Sequence, residues 1–193
     1  MGNFISQQLL IEIIGAVLGL IYLFFSIRKS LWLWPTGLLS SCFYISIFFY
    51  SKLYAEMGLQ VYYVIVSIYG WYHWIFGQKD NKTKELPVIR LDFKKLTIYF
   101  FSFLFFYAIL FFILKKYTDS SIPGWDSVAT ALSIIATWML AKKVLENWIL
   151  WIITDALCIG IYIYKDLYPT AILFIVYTIL AYVGYLNWKN SKS

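Results

Sequence analysis

Charge is the scarcest property of this sequence: Asp, Glu, Lys and Arg together supply 13% of its 193 residues, about half the share found in soluble domains. Hydrophobic residues make up 62%, aromatic ones 22%, and mean hydropathy is +0.72. These values exclude a water-soluble globule and predict a polytopic membrane protein. His73 is the only histidine, and a lone histidine without a second clustered donor makes no metal site. Cys42 and Cys158 both lie in apolar segments; they define neither a disulfide framework nor a metal centre and read as small hydrophobes. No phosphate-binding loop of the Walker type is present, so ATP-driven pumping is not indicated. The net charge of +6 follows from Lys and Arg collecting in loops for topological reasons and points to no nucleic-acid partner.

What the chain has in abundance is long apolar runs. The first, "LLIEIIGAVLGLIYLFFSI", has no basic leader and no cleavage pattern, and reads as a retained membrane helix. Breaks at charge clusters and turn residues predict seven spans at about 8–27, 31–50, 57–77, 96–115, 127–141, 147–164 and 169–188. The fifth is short and the second contains Pro35. Twelve of the sixteen Lys and Arg residues follow the first, third, fifth and last spans, against Lys52, Lys115, Lys116 and Lys165 on the other side. The positive-inside rule then predicts a cytoplasmic carboxyl terminus and an external amino terminus. The stretch "QKDNKTKELPVIRLDFKK" reads as a solvated cytoplasmic linker.

Sliding the chain against itself reveals an internal repeat at an offset of 114. Arg28 and Lys29 fall on Lys142 and Lys143, Trp34 on Trp148, Tyr50 on Tyr164, Leu53 and Tyr54 on Leu167 and Tyr168, Tyr63 on Tyr177, Gly70 on Gly184 and Trp74 on Trp188. Two three-helix units, 1–77 and 126–193, are therefore expected, joined by the linker and a fourth helix over 78–125. Three crossings end on the face opposite their start, so one further crossing lets the second unit repeat in the same orientation. Parallel repeats of this kind are a transporter plan, with the substrate site at the repeat interface near mid-membrane.

Helical spacing puts Trp148, Trp151, Asp155, Cys158 and Tyr162 on one stripe of the sixth span, matched by Trp34, Gly37, Ser41, Tyr44 and Phe48 in the second. The third span offers Gln60, Tyr63, Ser67, Gly70 and Trp74, and the seventh Tyr177, Ala181, Gly184 and Trp188. Gly70, Gly184, Ala181 and Ser67 also suit plain close packing of helices, and an interfacial aromatic belt is a second account of Trp34, Trp74, Trp148 and Trp188. Glu12 reads as an interface residue and His73 likewise. Asp155 stands apart, because an acid at mid-helix costs about 2.5–3.5 kcal/mol on insertion scales and faces a cavity or a partner. One account is a protonated acid bonded to Ser41 or Thr154. The other is an acid beside aromatic faces, which suits a flat cationic heterocycle: rings stack on it and the acid supplies counter-charge. A membrane enzyme lacks the required groups, since Asp155 has no partner carboxylate, and an assembly protein leaves a mid-membrane acid unexplained.

The blocks "GLQVYYVIVSIYGWYHW" and "ENWILWIITDALCIGIYIYKDLYPTAILFIVYTILAYVGYLNW" resemble the PnuC family of vitamin transporters over nearly the whole chain. The resemblance implies an all-α integral membrane fold, seven transmembrane helices in a 3+1+3 arrangement related to the SWEET transporters, and a homotrimer in the bacterial inner membrane. It implies uptake of nicotinamide riboside by facilitated diffusion, without a cofactor, with a cytoplasmic kinase phosphorylating the vitamin and preventing its return. Thiamine is the alternative cargo and riboflavin a lesser one. By position it implies substrate contacts from Trp151, Asp155, Gln60, Tyr63, Trp71, Tyr177 and Tyr182, with Trp148 and Asn147 supporting the entrance to the sixth helix. The chain departs from the riboside members at Asp155, where Asn tends to stand.

Overall fold

The protein is described by a computed structural model covering residues 2–50, 54–77 and 86–190, without the side chains of residues 2–13, 47, 48, 50 and 54–56. Lys52, Leu53, Lys192, the linker residues 78–85, and the side chains of Glu12, Phe48, Tyr50 and Tyr54 lie outside the described residues. Seven helices are present among those described: α1 Gly2–Ile27, α2 Leu33–Tyr50, α3 Tyr54–Phe76, α4 Phe93–Tyr117, α5 Pro123–Ala141, α6 Asn147–Tyr164 and α7 Tyr168–Asn190. Each expected span is a helix. The fifth is longer than its apolar run because Pro123 opens it and Asp126 sits in its first turn, both favourable positions at a helix amino terminus. Pro35 is harmless for the same reason: α2 begins at Leu33, so the proline falls within the first turn.

The chain divides into two compact units, Met1–Gln78 and Lys79–Ser193. In the first, α1 packs on α2 and α2 on α3; in the second, α4 packs on α5, α5 on α6 and α6 on α7. Each repeat therefore has its second helix, α2 or α6, in the middle. Helix α4 buries none of its 25 residues fully, although Tyr99, Phe103 and Phe106 pack against the cluster of Ile135, Met139 and Val144. An apolar helix so exposed is of the kind that spans a membrane, and α4, α6 and α7 are each long and apolar enough to cross one.

The two units repeat one another down to single hydrogen bonds. At the end of α1, Lys29 turns left-handed with φ 54°, and at the end of α5 its equivalent Lys143 does so with φ 56°. The Ser30 and Lys29 N–H groups donate to the Phe25 and Ser26 carbonyls at 3.0 and 3.1 Å; those of Val144 and Lys143 donate to Met139 and Leu140 at 2.9 Å each. Both are Schellman caps, which satisfy carbonyls at a helix end and reverse the chain. Even the flanking cations match, with Arg28 4.4 Å above the Phe24 ring and Lys142 5.3 Å above Trp138.

Beyond the turns, each unit is locked by a tryptophan pair. Trp34 of α2 meets Trp74 of α3 edge to face, with centroids 5.4 Å apart and planes at 89°. Trp148 of α6 meets Trp188 of α7 at 5.6 Å and 84°. All four rings are buried, which removes the interfacial belt as their explanation. The Trp34 indole lies against Gly70 and the Trp148 indole against Gly184, so the glycines are there for close packing, as membrane helix interfaces require.

One feature belongs to the second unit only among the described residues. Residues 86–92 fold back on the α5–α6 turn: the Ile89 N–H donates to the Lys143 carbonyl at 3.0 Å, the Leu145 N–H to the Ile89 carbonyl at 2.9 Å, and the Leu91 N–H to Glu146 Oε2 at 3.0 Å. Asp92 then caps α4, accepting the Lys95 N–H at 2.7 Å, and that backbone bond holds its carboxyl below the usual range. A methyl group at Gly184 would stand 2.6 Å from Trp148 Cη2, so Gly184→Ala is expected to cost about 1–3 kcal/mol. Thermal unfolding of the purified protein checks this, and an unchanged midpoint would show that the indole seat is not a packing constraint.

Candidate functional site

Helix α6, central in its unit, carries the densest set of the candidate residues, Asn147, Trp148, Trp151 and Asp155. It follows directly on the turn at Lys143, and its first residue, Asn147, is fully buried and donates through Nδ2 to the Val144 carbonyl at 2.5 Å. That bond fixes the turn to the helix and so sets the rotation of everything after it. Trp148 points into the α6–α7 seam, Trp151 is half-buried one turn later, and Asp155 follows at 5% exposure. Cys158 and Tyr162 continue the stripe, both half-buried and both within electrostatic reach of Asp155.

No described residue donates a hydrogen bond or offers a cation to the Asp155 carboxyl. Thr154, one of the partners expected from the sequence, spends its hydroxyl on the Leu150 carbonyl of its own helix at 2.8 Å. The polar-knot account therefore loses that donor. A buried acid without a donor is costly unless something arrives to pair with it.

Aromatic surface leads from this acid to α7. Tyr162 packs on Phe174 with centroids 5.0 Å apart, and Phe174 on Tyr177 at 5.4 Å. The structure thus brings Trp148, Trp151, Asp155 and Asn147 onto one helix and links Tyr177 to their stripe through Tyr162 and Phe174. Tyr182 is not brought there, being 55% exposed on α7. On α3 of the first unit, Gln60 and Tyr63 are half-buried and Trp71 is exposed.

Sequence reasoning missed Phe174, although it precedes Tyr177 by three residues and so shares its face. It also missed an ionic group at the far end of α6. Lys165 Nζ lies 3.1 and 3.2 Å from the two carboxylate oxygens of Asp126, and the Ser120 hydroxyl donates to Asp126 Oδ2 at 2.6 Å. The pair ties the first turn of α5 to the end of α6. The signal was present, since Asp126 and Lys165 both sit at expected helix ends, but nothing in one sequence pairs them.

The family model for nicotinamide mononucleotide transporters matches residues 9–190. The chain belongs to that family. The nicotinamide riboside transporter PnuC of Escherichia coli (strain K12) is 27% identical over 205 residues, covering 94% of this chain and 85% of its own. The riboflavin/roseoflavin transporter RibM of Streptomyces davaonensis is 24% identical over 178 residues, covering 92% of this chain and 83% of its own. The crystal structure of the vitamin B3 transporter PnuC superposes with a TM-score of 0.72 at 24% identity, over 91% of this chain and 78% of that one. The fold is thus that of a multi-pass membrane transporter, and the members of the nicotinamide mononucleotide transporter family are carriers rather than enzymes.

Asp155 is a buried carboxyl without a hydrogen-bond donor among the described residues. Asp155→Leu is accordingly expected to leave the melting temperature of the ligand-free transporter unchanged or raised, because it removes an uncompensated buried acid. A fall of several degrees would show instead that the carboxyl holds the helices together.

Proposed function

We propose that this transporter carries nicotinamide riboside into the cell by facilitated diffusion, with Asp155 as counter-charge to the pyridinium ring. The observation that carries the reading is the buried Asp155 carboxyl, without a donor among the described residues, on a stripe with Trp151 and Tyr162. A cationic aromatic ring gains from aromatic faces and from the acid at once. Relatives named as nicotinamide riboside transporters support the choice.

In this reading Trp151 and Tyr177 stack on or flank the vitamin, and Asn147 and Trp148 hold α6 at its entrance. Gln60, Tyr63, Trp71 and Tyr182 are assigned substrate contact on the family resemblance. The units 1–77 and 126–193 act as parallel repeats of a 3+1+3, SWEET-like fold joined through 78–125. The amino terminus is outside, the carboxyl terminus is cytoplasmic, and the chain assembles as a homotrimer. Phosphorylation of the vitamin by a cytoplasmic kinase, at the expense of the kinase's own phosphoryl donor, keeps uptake running downhill, so the carrier itself hydrolyses no ATP and couples to no ion.

Thiamine is the second reading, and Asp155 is the observation that favours it: the acid suits any cationic aromatic vitamin of similar bulk. Riboflavin, the cargo named for one relative, carries no such cation and uses the acid only as a hydrogen-bond partner.

Intrinsic tryptophan fluorescence of the purified protein, titrated with nicotinamide riboside, thiamine and riboflavin, separates these cargoes. Saturable quenching by the riboside is expected, weakened about tenfold in Asp155→Asn, which corresponds to roughly 1.4 kcal/mol of lost charge pairing. Quenching by thiamine alone would transfer the assignment to that vitamin, and equal affinity in the variant would remove Asp155 from the site.

A further inference from the structure

The stripe of α6 that carries Asp155 does not stop at Tyr162. Cys158, Tyr162 and Lys165 follow the acid at spacings of three, four and three residues, so the four side chains share one face. Asp155 and Lys165 are about 15 Å apart along the helix axis. Exposure rises along that line: Asp155 is buried, Cys158 and Tyr162 are half-buried, and Lys165 is exposed. The face therefore runs from the acid to the end of α6 away from the Lys143 turn, and a cation stands where it opens.

One residue neutralises that cation. Lys165 Nζ lies 3.1 and 3.2 Å from Asp126 Oδ1 and Oδ2, and the Ser120 hydroxyl donates to Oδ2 at 2.6 Å, which holds the carboxylate in place. Neighbouring charges are engaged elsewhere: Asp166 accepts the Tyr168 hydroxyl at 3.0 Å, and Lys115 and Lys116 stand over the rings of Phe111, Phe112 and Tyr117 on α4. Asp119 pairs with no cation among the described residues. The side chains of Lys165 and Asp126 keep 33% and 21% of their surface exposed, and an ion pair so accessible adds little to stability. A bare Lys165, by contrast, would set a positive potential at the open end of the face and repel any cation approaching Asp155.

We infer that Asp126 is a specificity-determining residue for cationic cargo: by neutralising Lys165 it keeps the approach to Asp155 open to positive charge. The inference rests on the reading of the cargo as a cation, and the two can fail separately. Asp126 acts on the approach, through the lysine, whereas Asp155 acts on the bound ring. The first turn of α5 thus takes part in selection without contributing to the site at Asp155.

Two measurements on the full chain test this. Cys158 lies on the face between Lys165 and Asp155, and in a Cys42→Ser background it is the one remaining thiol, so it reports the potential there without any vitamin. Its rates of modification by cationic and anionic methanethiosulfonates of similar size are compared in the purified protein. Asp126→Asn is expected to lower the cationic-to-anionic rate ratio about fivefold, the scale of one bare charge roughly 10 Å away in a largely aqueous path. Adding Lys165→Gln is expected to restore the ratio. The ion pair is broken in both variants, so a purely structural tie between α5 and α6 predicts equal ratios for the two. That result, or a Cys158 that no reagent modifies, overturns the inference. In proteoliposomes at low ionic strength, Asp126→Asn is expected to reduce uptake of subsaturating nicotinamide riboside about threefold, with the loss fading in about 0.5 M salt as screening removes the field. The double variant is expected to recover uptake, and a loss that it does not recover would overturn the role of the field in transport. Unchanged uptake beside a shifted thiol ratio would sink the cationic cargo, while the ratio would still report the field that Asp126 and Lys165 set.

Discussion

Each repeat depends on one contact, an edge-to-face tryptophan pair seated on a glycine. In a bilayer, apolar side chains gain nothing by leaving lipid for another helix, so association rests on close packing and polar contacts. Trp34 on Trp74 and Trp148 on Trp188 supply that packing with an electrostatic preference worth about 0.5–1.5 kcal/mol per pair beyond the surface they bury. Gly70 and Gly184 admit the indoles by offering no Cβ. Once this seam is set, the rotation of α6 about its axis is fixed, and with it the faces on which Trp151 and Asp155 lie.

The turn before each seam completes the frame. A left-handed residue after α1 and α5 costs strain for a lysine, yet Lys29 and Lys143 both adopt it, and the two cap bonds at each turn compensate. The second unit adds a strap: Ile89 and Leu91 bind the turn through Lys143, Leu145 and Glu146. The helix that bears the acid is thus held at its start by Asn147, by the turn and by the strap. At its other end it is held by the Lys165–Asp126 pair. Such anchoring makes α6 a rigid element, the condition for precise placement of the side chains it carries.

Much of this was legible in the sequence. The helices follow from apolar runs, and the offset of 114 aligned Arg28 and Lys29 with Lys142 and Lys143, whose turns share a left-handed φ and their hydrogen bonds. Which face of a helix meets protein was not legible, because lipid and a protein interior are both apolar and the periodicity that marks a buried stripe in water is weak here. The four seam tryptophans could equally have anchored a membrane surface. Trp71 and Tyr182, chosen by resemblance, turn outward on their own helices, and the ion pair of Asp126 with Lys165 joins residues 39 apart. Small residues were the better guide: Gly70 and Gly184 marked the seams because backbone approach demands their type.

The difference between equivalent positions 41 and 155 bears on how such a carrier works. Both are buried on the middle helix of their repeat, but one is Ser41 and the other Asp155. A second acid, at position 41, would double an insertion cost of about 2.5–3.5 kcal/mol. A carrier running downhill, as proposed here, has no energy source with which to break a tight complex, so its site must bind firmly enough to select and loosely enough to release. On the proposed reading, a single acid at position 155 satisfies both demands. The repeats are alike where they pack, at the turns and the tryptophan seams, and differ in charge at the buried positions 41 and 155.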